Sequence, residues 1–391
     1  MDAKKQELGV ALVGYKFMGK AHSHAYRDVG LFFDLPATPA MRVLCGRDKM
    51  AAMRAAQIWG WQEVETDWRK AVARDDLQLV DIASPGNTHK QIAVAAAKAG
   101  KHVFSEKPLA NSLSDAEAMV EAVERARVKS LVGFNYRRVP AVQLARQMIA
   151  DGLLGSIFHF RAVYLQDWII EPSFPLVWRL RKEIAGSGPL GDLGAHIVDL
   201  ARYLVGEIEE VVGSAKTFIK ERPLPADDRG AWGSKTATKR GPVTVEDAVV
   251  FLAHFQNGAL GTFEATRFAA GRKNHNAIEI NGSKGSLAFN LEALNELKYF
   301  NREDRDDSQG FRTILVTDAV HPYIAGWWPP GHIIGWEHSF IHEVKDLVEA
   351  IVMDKPIEPS FRDGLQTQSV LESVSESVKK RSWVPVRRFL C

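Results

Sequence analysis

The sequence contains few cysteines, no excess of charge of one sign and no long apolar run. Its 391 residues include two cysteines, Cys45 and Cys391, which are too few and too far apart for a disulfide framework or a zinc site. The formal net charge is +2, so nothing favours a nucleic-acid partner. No apolar stretch reaches transmembrane length, and the polar N-terminus does not resemble a signal peptide. We therefore expect a reduced, cytoplasmic protein without a bound metal or a membrane partner.

The first strong pattern lies close to the N-terminus. A short apolar run, residues 8–13, is followed at once by a glycine-containing turn and a segment that can continue as a helix. This is the context of a dinucleotide-binding fingerprint, in which a helix N-terminus presents its N–H groups to a pyrophosphate. Lys16 stands where the fingerprint has its middle glycine, and its ammonium group can reach a phosphate. The candidate cofactor contacts are Gly14, Lys16, Phe17, Met18 and Gly19, with an ordinary strand-to-helix turn as the alternative.

The end of the second apolar run, residues 41–45, bears on the choice of cofactor. An NAD site usually has an acid here for the ribose 2′-hydroxyl, whereas an NADP site lacks the acid and offers an arginine. The chain has Gly46 followed by Arg47, which favours NADP and makes both residues candidate cofactor contacts. NAD is the alternative if Asp48 is the acid, and Arg47 is then a solvated turn residue.

Two later apolar runs also end in polar loops. Residues 79–83 lead into a loop with Ser84, Pro85, Asn87 and His89, and residues 102–105 lead into Glu106-Lys107-Pro108. Ligands bind at the carboxyl edge of an open α/β sheet, so Ser84, Pro85, Asn87, His89 and Glu106 are further candidate cofactor contacts. Lys107 should point towards the same edge. The alternation of strands and helices up to residue 134 predicts an α/β fold with a doubly wound parallel sheet.

The second half of the chain has a different pattern. Strand-like runs follow one another, and turn signals join several of them, which predicts an antiparallel sheet. These runs are residues 157–164, 211–220, 248–255, 260–267, 276–281, 285–290 and 297–300. Residues 221–242 are rich in polar and turn-forming residues and predict a long loop. The predicted domains are residues 1–136, which bind the dinucleotide, and residues 137–391, which bind the substrate.

A helix inserted among these strands carries the best candidates for proton transfer. Residues four apart lie on one helical face, so Asp192 and His196 are predicted to be neighbours. A carboxylate beside an imidazole suits proton transfer near neutral pH. The alternative is a helix N-terminus with an acidic first turn and a satisfied core histidine. The presence of Lys107 at a separate strand end favours the catalytic interpretation.

Aromatic side chains are frequent in two stretches of the second half. Aromatic faces pack well against the C–H faces of sugars, and polar neighbours can bond their hydroxyls. The candidate substrate contacts are Tyr136, Gln166, Trp168, Arg179 and Tyr323. Packing or an oligomer interface is the alternative explanation for these aromatics and for the nearby Trp178, Trp327 and Trp328.

Three motifs, in this order, resemble those of the glucose–fructose oxidoreductase, inositol dehydrogenase and rhizopine-catabolism (Gfo/Idh/MocA) family. They are Gly14 to Gly19, Glu106-Lys107-Pro108, and Gly191-Asp192-x-Gly194-x-His196-x-x-Asp199. The resemblance covers nearly the whole chain. It implies a Rossmann domain followed by a domain with a large open antiparallel sheet, through which members often form oligomers, here a dimer or tetramer. It also implies that Lys107, Asp192 and His196 are catalytic.

The resulting hypothesis is reversible oxidation of a secondary hydroxyl on a sugar, anhydrosugar or cyclic polyol, with hydride passing to NAD(P). His196 would accept the hydroxyl proton, Asp192 would orient His196, and Lys107 would stabilise the developing alkoxide. Two alternatives remain open. One is NAD-dependent hydrolysis or elimination through a transient keto sugar, and the other is a non-enzymatic regulator that binds NADP.

Overall fold

The computed structural model describes residues 5–225 and 236–389, and these form two compact units. The strands are β1 (Gln6–Val13), β2 (Ala37–Cys45), β3 (Glu63–Glu65), β4 (Leu79–Ile82), β5 (His102–Ser105), β6 (Ser130–Val132), β7 (Ile157–Leu165), β8 (Ile208–Lys216), β9 (Glu221–Pro225), β10 (Thr236–Pro242), β11 (Ala248–Phe255), β12 (Leu260–Thr266), β13 (His275–Gly282), β14 (Gly285–Asn290), β15 (Glu296–Asn301), β16 (Arg312–Leu315) and β17 (Val384–Pro385). The helices are α1 (Phe17–Phe32), α2 (Lys49–Trp59), α3 (Trp68–Val72), α4 (His89–Lys98), α5 (Leu113–Ala126), α6 (Pro140–Ala150), α7 (Lys182–Ala185), α8 (Ala195–Leu204), α9 (His338–Val352) and α10 (Phe361–Lys380).

The first unit comprises Met1–Val139 and Asp318–Leu365. Its described strands form a parallel sheet in the order β3-β2-β1-β4-β5-β6, which confirms the predicted doubly wound sheet. The strand order reverses between β1 and β4, and a ligand of such a sheet binds beside that point. The apolar runs of β1 and β4 are buried because helices cover a parallel sheet on both faces.

Helix α9 belongs to the core of the first unit, although it comes late in the sequence. Its buried side chains pack with those of α1 and of the parallel sheet, among them Phe340, Val344 and Leu347. The predicted division placed these residues in the second domain. The boundary near residue 136 lies close to Val139, but the chain returns to the first unit from Asp318 to Leu365.

The second unit comprises Pro140–Thr317 and Gln366–Cys391. Its large sheet has the described order β16-β15-β14-β13-β7-β12-β11-β8-β17. Neighbouring strands are antiparallel, as predicted, except that β7 and β12 pair in parallel. A parallel pair needs a long crossover connection, and here residues 166–259 provide it. The sheet is therefore mixed rather than purely antiparallel.

One face of this sheet is apolar and packed. Along β11 every second residue is buried, and the ring of Phe251 stacks on that of Phe263 with centroids 4.4 Å apart. The predicted long loop at residues 221–242 is partly structured, because its flanks form the antiparallel pair of β9 and β10. Its middle, residues 226–235, lies outside the described residues.

Candidate active site

The turn after β1 in the first unit approaches other backbone closely. Gly14 has a φ of +121°, and a Cβ atom there would lie 2.6 Å from the carbonyl oxygen of Ala83. Only glycine fits this conformation and this contact. Helix α1 then starts after Lys16, whose side chain makes no capping hydrogen bond. An uncapped helix N-terminus beside a glycine turn fits the pyrophosphate of a dinucleotide. Phe17 and Met18 lie in the first turn of α1, with Phe17 63% exposed, and Gly19 is buried there.

The residue directly after β2, Gly46, leaves no space for an acidic side chain. A Cβ atom on Gly46 would lie 2.2 Å from Cδ1 of Tyr15, so the Tyr15 ring fills the space above this residue. Arg47 is exposed. The Asp48 carboxylate caps α2 by accepting from the Ala51 N–H over 3.0 Å. The residues after β2 are therefore an exposed arginine and an acid with one oxygen bonded to the first turn of α2.

The loop after β4 is tied to the segment that follows β5. The His89 imidazole is buried, with Nε2 2.8 Å from the Ser84 carbonyl and Nδ1 3.2 Å from the carbonyls of Pro108 and Leu109. Burial lowers the pKa of His89, although these carbonyls favour its protonated form. The Ser84 and Thr88 hydroxyls are 2.6 Å apart, Pro85 precedes the short 3₁₀ turn, and Asn87 is exposed on it. The predicted contact His89 thus has a bracing role between two loops.

The turn after β5 holds Lys107 through its neighbour. The Glu106 side chain is buried, and its Oε2 accepts from the Lys107 backbone N–H over 3.0 Å. Its Oε1 lies 3.0 Å from Nε2 of His22 on α1. The carboxylate predicted as a cofactor contact is therefore engaged on both oxygens by the protein itself.

His22 belongs to a buried polar cluster that the sequence analysis missed. Its Nδ1 contacts both carboxylate oxygens of Asp81, at 3.0 and 2.8 Å, and the Tyr26 hydroxyl donates to Asp81 over 2.9 Å. His22 and Asp81 are fully buried. The available signal was Asp81 itself, a charged residue inside the otherwise apolar strand β4.

Asp192 in the second unit lies on a single π-helical stretch, Leu190–Gly194, that leads directly into α8. The Glu246 carboxylate accepts from the N–H groups of Gly188 and Leu190, both over 2.9 Å, and satisfies the start of this helix. The predicted helix over Asp192 is therefore present but begins wider than an α-helix, as often happens at functional sites. His196 follows on α8 and is almost buried, with its ring centroid 5.9 Å from that of Tyr164.

Arg267 holds the Asp192 carboxylate. It lies just after β12 and donates from Nη2 to Oδ2 of Asp192 over 2.6 Å. Its guanidinium also lies 5.3 Å from the Trp168 ring centroid. The sequence analysis missed Arg267, since a charged residue after an alternating strand has no local signature.

Polar contacts connect the predicted substrate residues near Asp192. The Trp168 indole N–H donates to Gln166, and the Gln166 amide and the Tyr164 hydroxyl donate to Asn274, all over 2.8 to 2.9 Å. Gln166 and Trp168 are thus brought together with Asp192 through Arg267. Arg179 instead lies 4.4 Å from the ring centroid of Trp178.

The other predicted substrate residues lie in the first unit, as does Lys107. Tyr136 is buried. The Tyr323 hydroxyl donates to Asp346 over 2.7 Å, and its ring stacks on His342 with centroids 4.2 Å apart. Trp327 and Trp328 pack on the Phe32 ring. Packing therefore accounts for part of the aromatic residues that suggested a sugar site.

Two wider properties of the described chain bear on its chemistry. Its helices include none with both the length and the apolar character to cross a bilayer. Its histidines, cysteines and carboxylates include no group of three placed to hold a metal ion, within residues 5–225 and 236–389.

Comparisons with known proteins place this geometry in a wider context. Residues 8–134 match the model of an oxidoreductase family with an NAD-binding Rossmann fold, and residues 142–288 match a GFO/IDH/MocA C-terminal domain. Levoglucosan dehydrogenase of Pseudarthrobacter phenanthrenivorans is 44% identical over 97% of this chain and 98% of its own length. It is also the family member that several short stretches of this sequence resemble, such as Tyr164 to Trp168 and His321 to Tyr323.

Two solved structures are similar along nearly their whole length. An oxidoreductase domain protein from Kribbella flavida is 55% identical, with a TM-score of 0.93 over 98% of this chain and 100% of that one. A levoglucosan dehydrogenase in complex with NADH and levoglucosan is 43% identical, with a TM-score of 0.92 and the same coverage. The likeness therefore extends across both units.

Proposed function

This chain belongs to the GFO/IDH/MocA family of oxidoreductases, and we propose that it is a dehydrogenase of anhydrosugars, with levoglucosan as the first substrate to test. The reaction is hydride transfer between a secondary hydroxyl of the sugar and the nicotinamide of NAD(P). The observation that carries this proposal is the Asp192 carboxylate, fixed by Arg267 beside Trp168 and Gln166. A relative that matches nearly the whole chain is named for oxidising levoglucosan.

The proposed roles follow from the chemistry of a hydroxyl that loses a hydride. The hydroxyl must also lose its proton, and His196 is the proposed acceptor. Asp192 orients His196 and bonds a substrate hydroxyl, while Arg267 keeps the carboxylate in place. Lys107 is proposed to stabilise the developing alkoxide. When bound, the cofactor supplies the redox chemistry, so the protein mainly positions groups and moves a proton.

The family is described by an NAD-binding Rossmann fold, and the choice between NAD and NADP belongs to the proposal. Gly46 and Arg47 support NADP, the prediction from the sequence. The similar levoglucosan dehydrogenase was solved with NADH, which supports NAD. The capping role of Asp48 leaves its second carboxylate oxygen available for a ribose hydroxyl, so both cofactors have a possible partner at this strand end.

The test is incubation of the purified protein with levoglucosan, related anhydrosugars and cyclic polyols, each with NAD⁺ and with NADP⁺. A dehydrogenase accumulates free reduced cofactor in step with oxidised sugar. Hydrolysis or elimination through a transient keto sugar yields changed sugar without net reduced cofactor. A regulator binds cofactor without turnover on any substrate. Either of the last two results would overturn the proposal, and His196→Ala serves as the control with strongly reduced turnover.

The exposed face of the large sheet is the proposed contact for a second copy of this chain. On adjacent strands it presents Val250, Leu252 and Leu260, between 36% and 48% exposed. Charges of both signs, such as Arg161 and Glu279, lie beside them and suit self-complementary pairing. Light scattering should give a dimer or tetramer that Leu252→Asp converts towards monomer, and a monomeric wild type would refute this contact.

A further inference from the structure

We propose that His22 is a positioning residue for Lys107 and acts through the Glu106 carboxylate. The inference rests on the proposed role of Lys107. His22 is fully buried on α1, so its effect on catalysis has to pass through the residues that it contacts. Glu106 is the connection, since it contacts His22 with one oxygen and the Lys107 backbone with the other.

The hydrogen-bond pattern indicates that both ring nitrogens of His22 carry a proton. A carboxylate can only accept, so each ring nitrogen that faces one is best satisfied as an N–H donor. Nδ1 of His22 faces Asp81 at 2.8 Å and Nε2 faces Glu106 at 3.0 Å. The remaining contacts to these carboxylates come from further donors, the Tyr26 hydroxyl and the Lys107 N–H. An imidazolium between two carboxylates satisfies every one of these contacts.

The electrostatic surroundings of His22 favour the imidazolium, whereas burial of Asp81 opposes the ionised form of its partner. Burial alone lowers the pKa of His22, but Asp81 and Glu106 outweigh it and raise the pKa to about 10. Burial raises the pKa of Asp81, against the influence of His22 and Tyr26. The Phe104 ring stacks on the imidazole with centroids 4.8 Å apart and excludes water. From α9, Glu343 adds a buried carboxyl that interacts with His22 and with Arg138.

The geometry fixes the orientation of Glu106. One oxygen is held by the charged ring on α1, so the other points at the Lys107 amide and sets the path of the turn that carries this lysine. Without the positive charge of His22, the buried carboxylates of Asp81 and Glu106 would lie near each other with no cation between them. The interaction that holds Glu106 in this rotamer would then be lost. A displacement of about 1 Å of a catalytic group can cost about 10²-fold in rate.

The test is a double-mutant cycle in the full-length protein. His22→Gln retains N–H donors and removes the charge, and we expect it to lower kcat about 10- to 100-fold, with little change in KM for the cofactor. In a Lys107→Ala background the same change should have almost no further effect, because both residues act on one step. The matched control is His24→Gln, because His24 lies on the same helix, is half-buried and pairs with Asp28. This change should alter neither kcat nor the KM for the cofactor.

Independent losses that multiply in the double variant would overturn the proposal and indicate a merely structural role. The wild type also provides a test that needs no variant and no activity. Nitrogen-15 spectra of labelled protein should show His22 protonated on both ring nitrogens from about pH 6 to about pH 9, beyond the range of an ordinary histidine. A neutral ring across this range would refute the assignment.

The two proposals can fail separately. If no substrate yields reduced cofactor, the proposed dehydrogenase fails, and the position of Lys107 is then judged by its backbone amide resonance. We expect His22→Gln to shift this resonance and His24→Gln to leave it unchanged. An unshifted resonance would overturn the role of His22, whatever the activity of the protein.

Discussion

Arg267 lies 2.6 Å from the Asp192 carboxylate and is only 1% exposed, so the proposed catalytic acid–base pair has a buried cation beside it. Its Nε and Nη1 atoms have no hydrogen-bond partner among the described residues. Burial of these unpaired donors costs free energy, and this cost offsets part of the stabilisation that the ion pair with Asp192 provides. The pair is therefore better suited to holding Asp192 in one orientation than to stabilising the fold.

Arg267→Met should consequently cause a large loss of kcat/KM and only a small loss in the free energy of unfolding. A charged hydrogen bond is worth about 1.5–3 kcal/mol, which corresponds to a loss of about 10- to 150-fold in kcat/KM if it orients Asp192 during the reaction. The free energy of unfolding should fall by only about 1 kcal/mol, because two unpaired donors are removed with the side chain. Steady-state kinetics and urea denaturation measure the two effects.

The control for this variant is Arg305→Met, which removes an exposed arginine that pairs with Asp307 at 2.6 Å. An exposed pair contributes about 0–1 kcal/mol, and this change should leave turnover unaltered. A loss of stability in Arg267→Met with unchanged kcat/KM would show that the pair is structural only.

His196→Ala should lower kcat by about 10²- to 10⁴-fold, the usual contribution of a positioned acid–base group. Cofactor affinity should change little, and calorimetry checks this. His254→Ala is the matched control, since His254 is exposed on β11 in the same unit. Near-wild-type turnover of His196→Ala with bound cofactor would contradict the assigned role.

Arg47 should decide the cofactor preference. If NADP is the cofactor, Arg47→Ala should weaken NADP⁺ binding about 10- to 100-fold and leave NAD⁺ binding unchanged, since a charged hydrogen bond to the 2′-phosphate is lost. Arg54→Ala, an exposed change on α2, is the control. Paired calorimetric titrations measure all four affinities. Tighter binding of NAD⁺ by the wild type would make the NADP prediction wrong and strengthen the link to levoglucosan.

Glu343 should make the folded state less stable as pH rises. Burial raises its pKa to about 8 from an ordinary 4.5, despite the nearby Arg138. The native state therefore keeps a proton that the unfolded chain releases, so the associated stability is complete below about pH 4.5 and is lost as pH rises through about 8. The slope is at most about 1.4 kcal/mol per pH unit.

Glu343→Gln should flatten this slope, as measured by denaturant unfolding at a series of pH values. His22 has its own window, between its ordinary 6.5 and about 10, and its contribution also declines as pH rises. Some slope should therefore persist in Glu343→Gln at alkaline pH. Glu349→Gln, on the same helix and partly exposed beside Lys345, should keep the wild-type profile. An unchanged slope in Glu343→Gln would exclude this carboxyl as its source.

The fold of the first unit was predictable because each apolar run is followed by its own helix, and that alternation permits few sheets. In the second unit, hairpin signals identified local pairs such as β13 with β14. The parallel pairing of β7 with β12 was not predictable, because the two strands are far apart in sequence and no turn connects them directly. Strand order of that kind depends on packing of the whole sheet.

The candidate site also contains residues that local sequence predicts and residues that it does not. Spacing along one helix suggested Asp192 and His196, and a strand end suggested Lys107. Arg267 and His22 were missed because their partners are distant in sequence, at 75 residues for Asp192 and 84 for Glu106. A single sequence carries local periodicity but no record of such pairs. The charged Asp81 within an apolar strand was the one local sign that a buried partner had to exist.

Because the chain returns to the first unit late in the sequence, this unit cannot be transferred to another protein as one N-terminal fragment. A piece cut at Val139 would lack α9 and leave the apolar side of α1 that contacts Phe340, Val344 and Leu347 open to water. Such a piece should aggregate or collapse. The first unit is made of two distant stretches of one polypeptide, so transfer of the whole unit between relatives requires that both stretches be moved together.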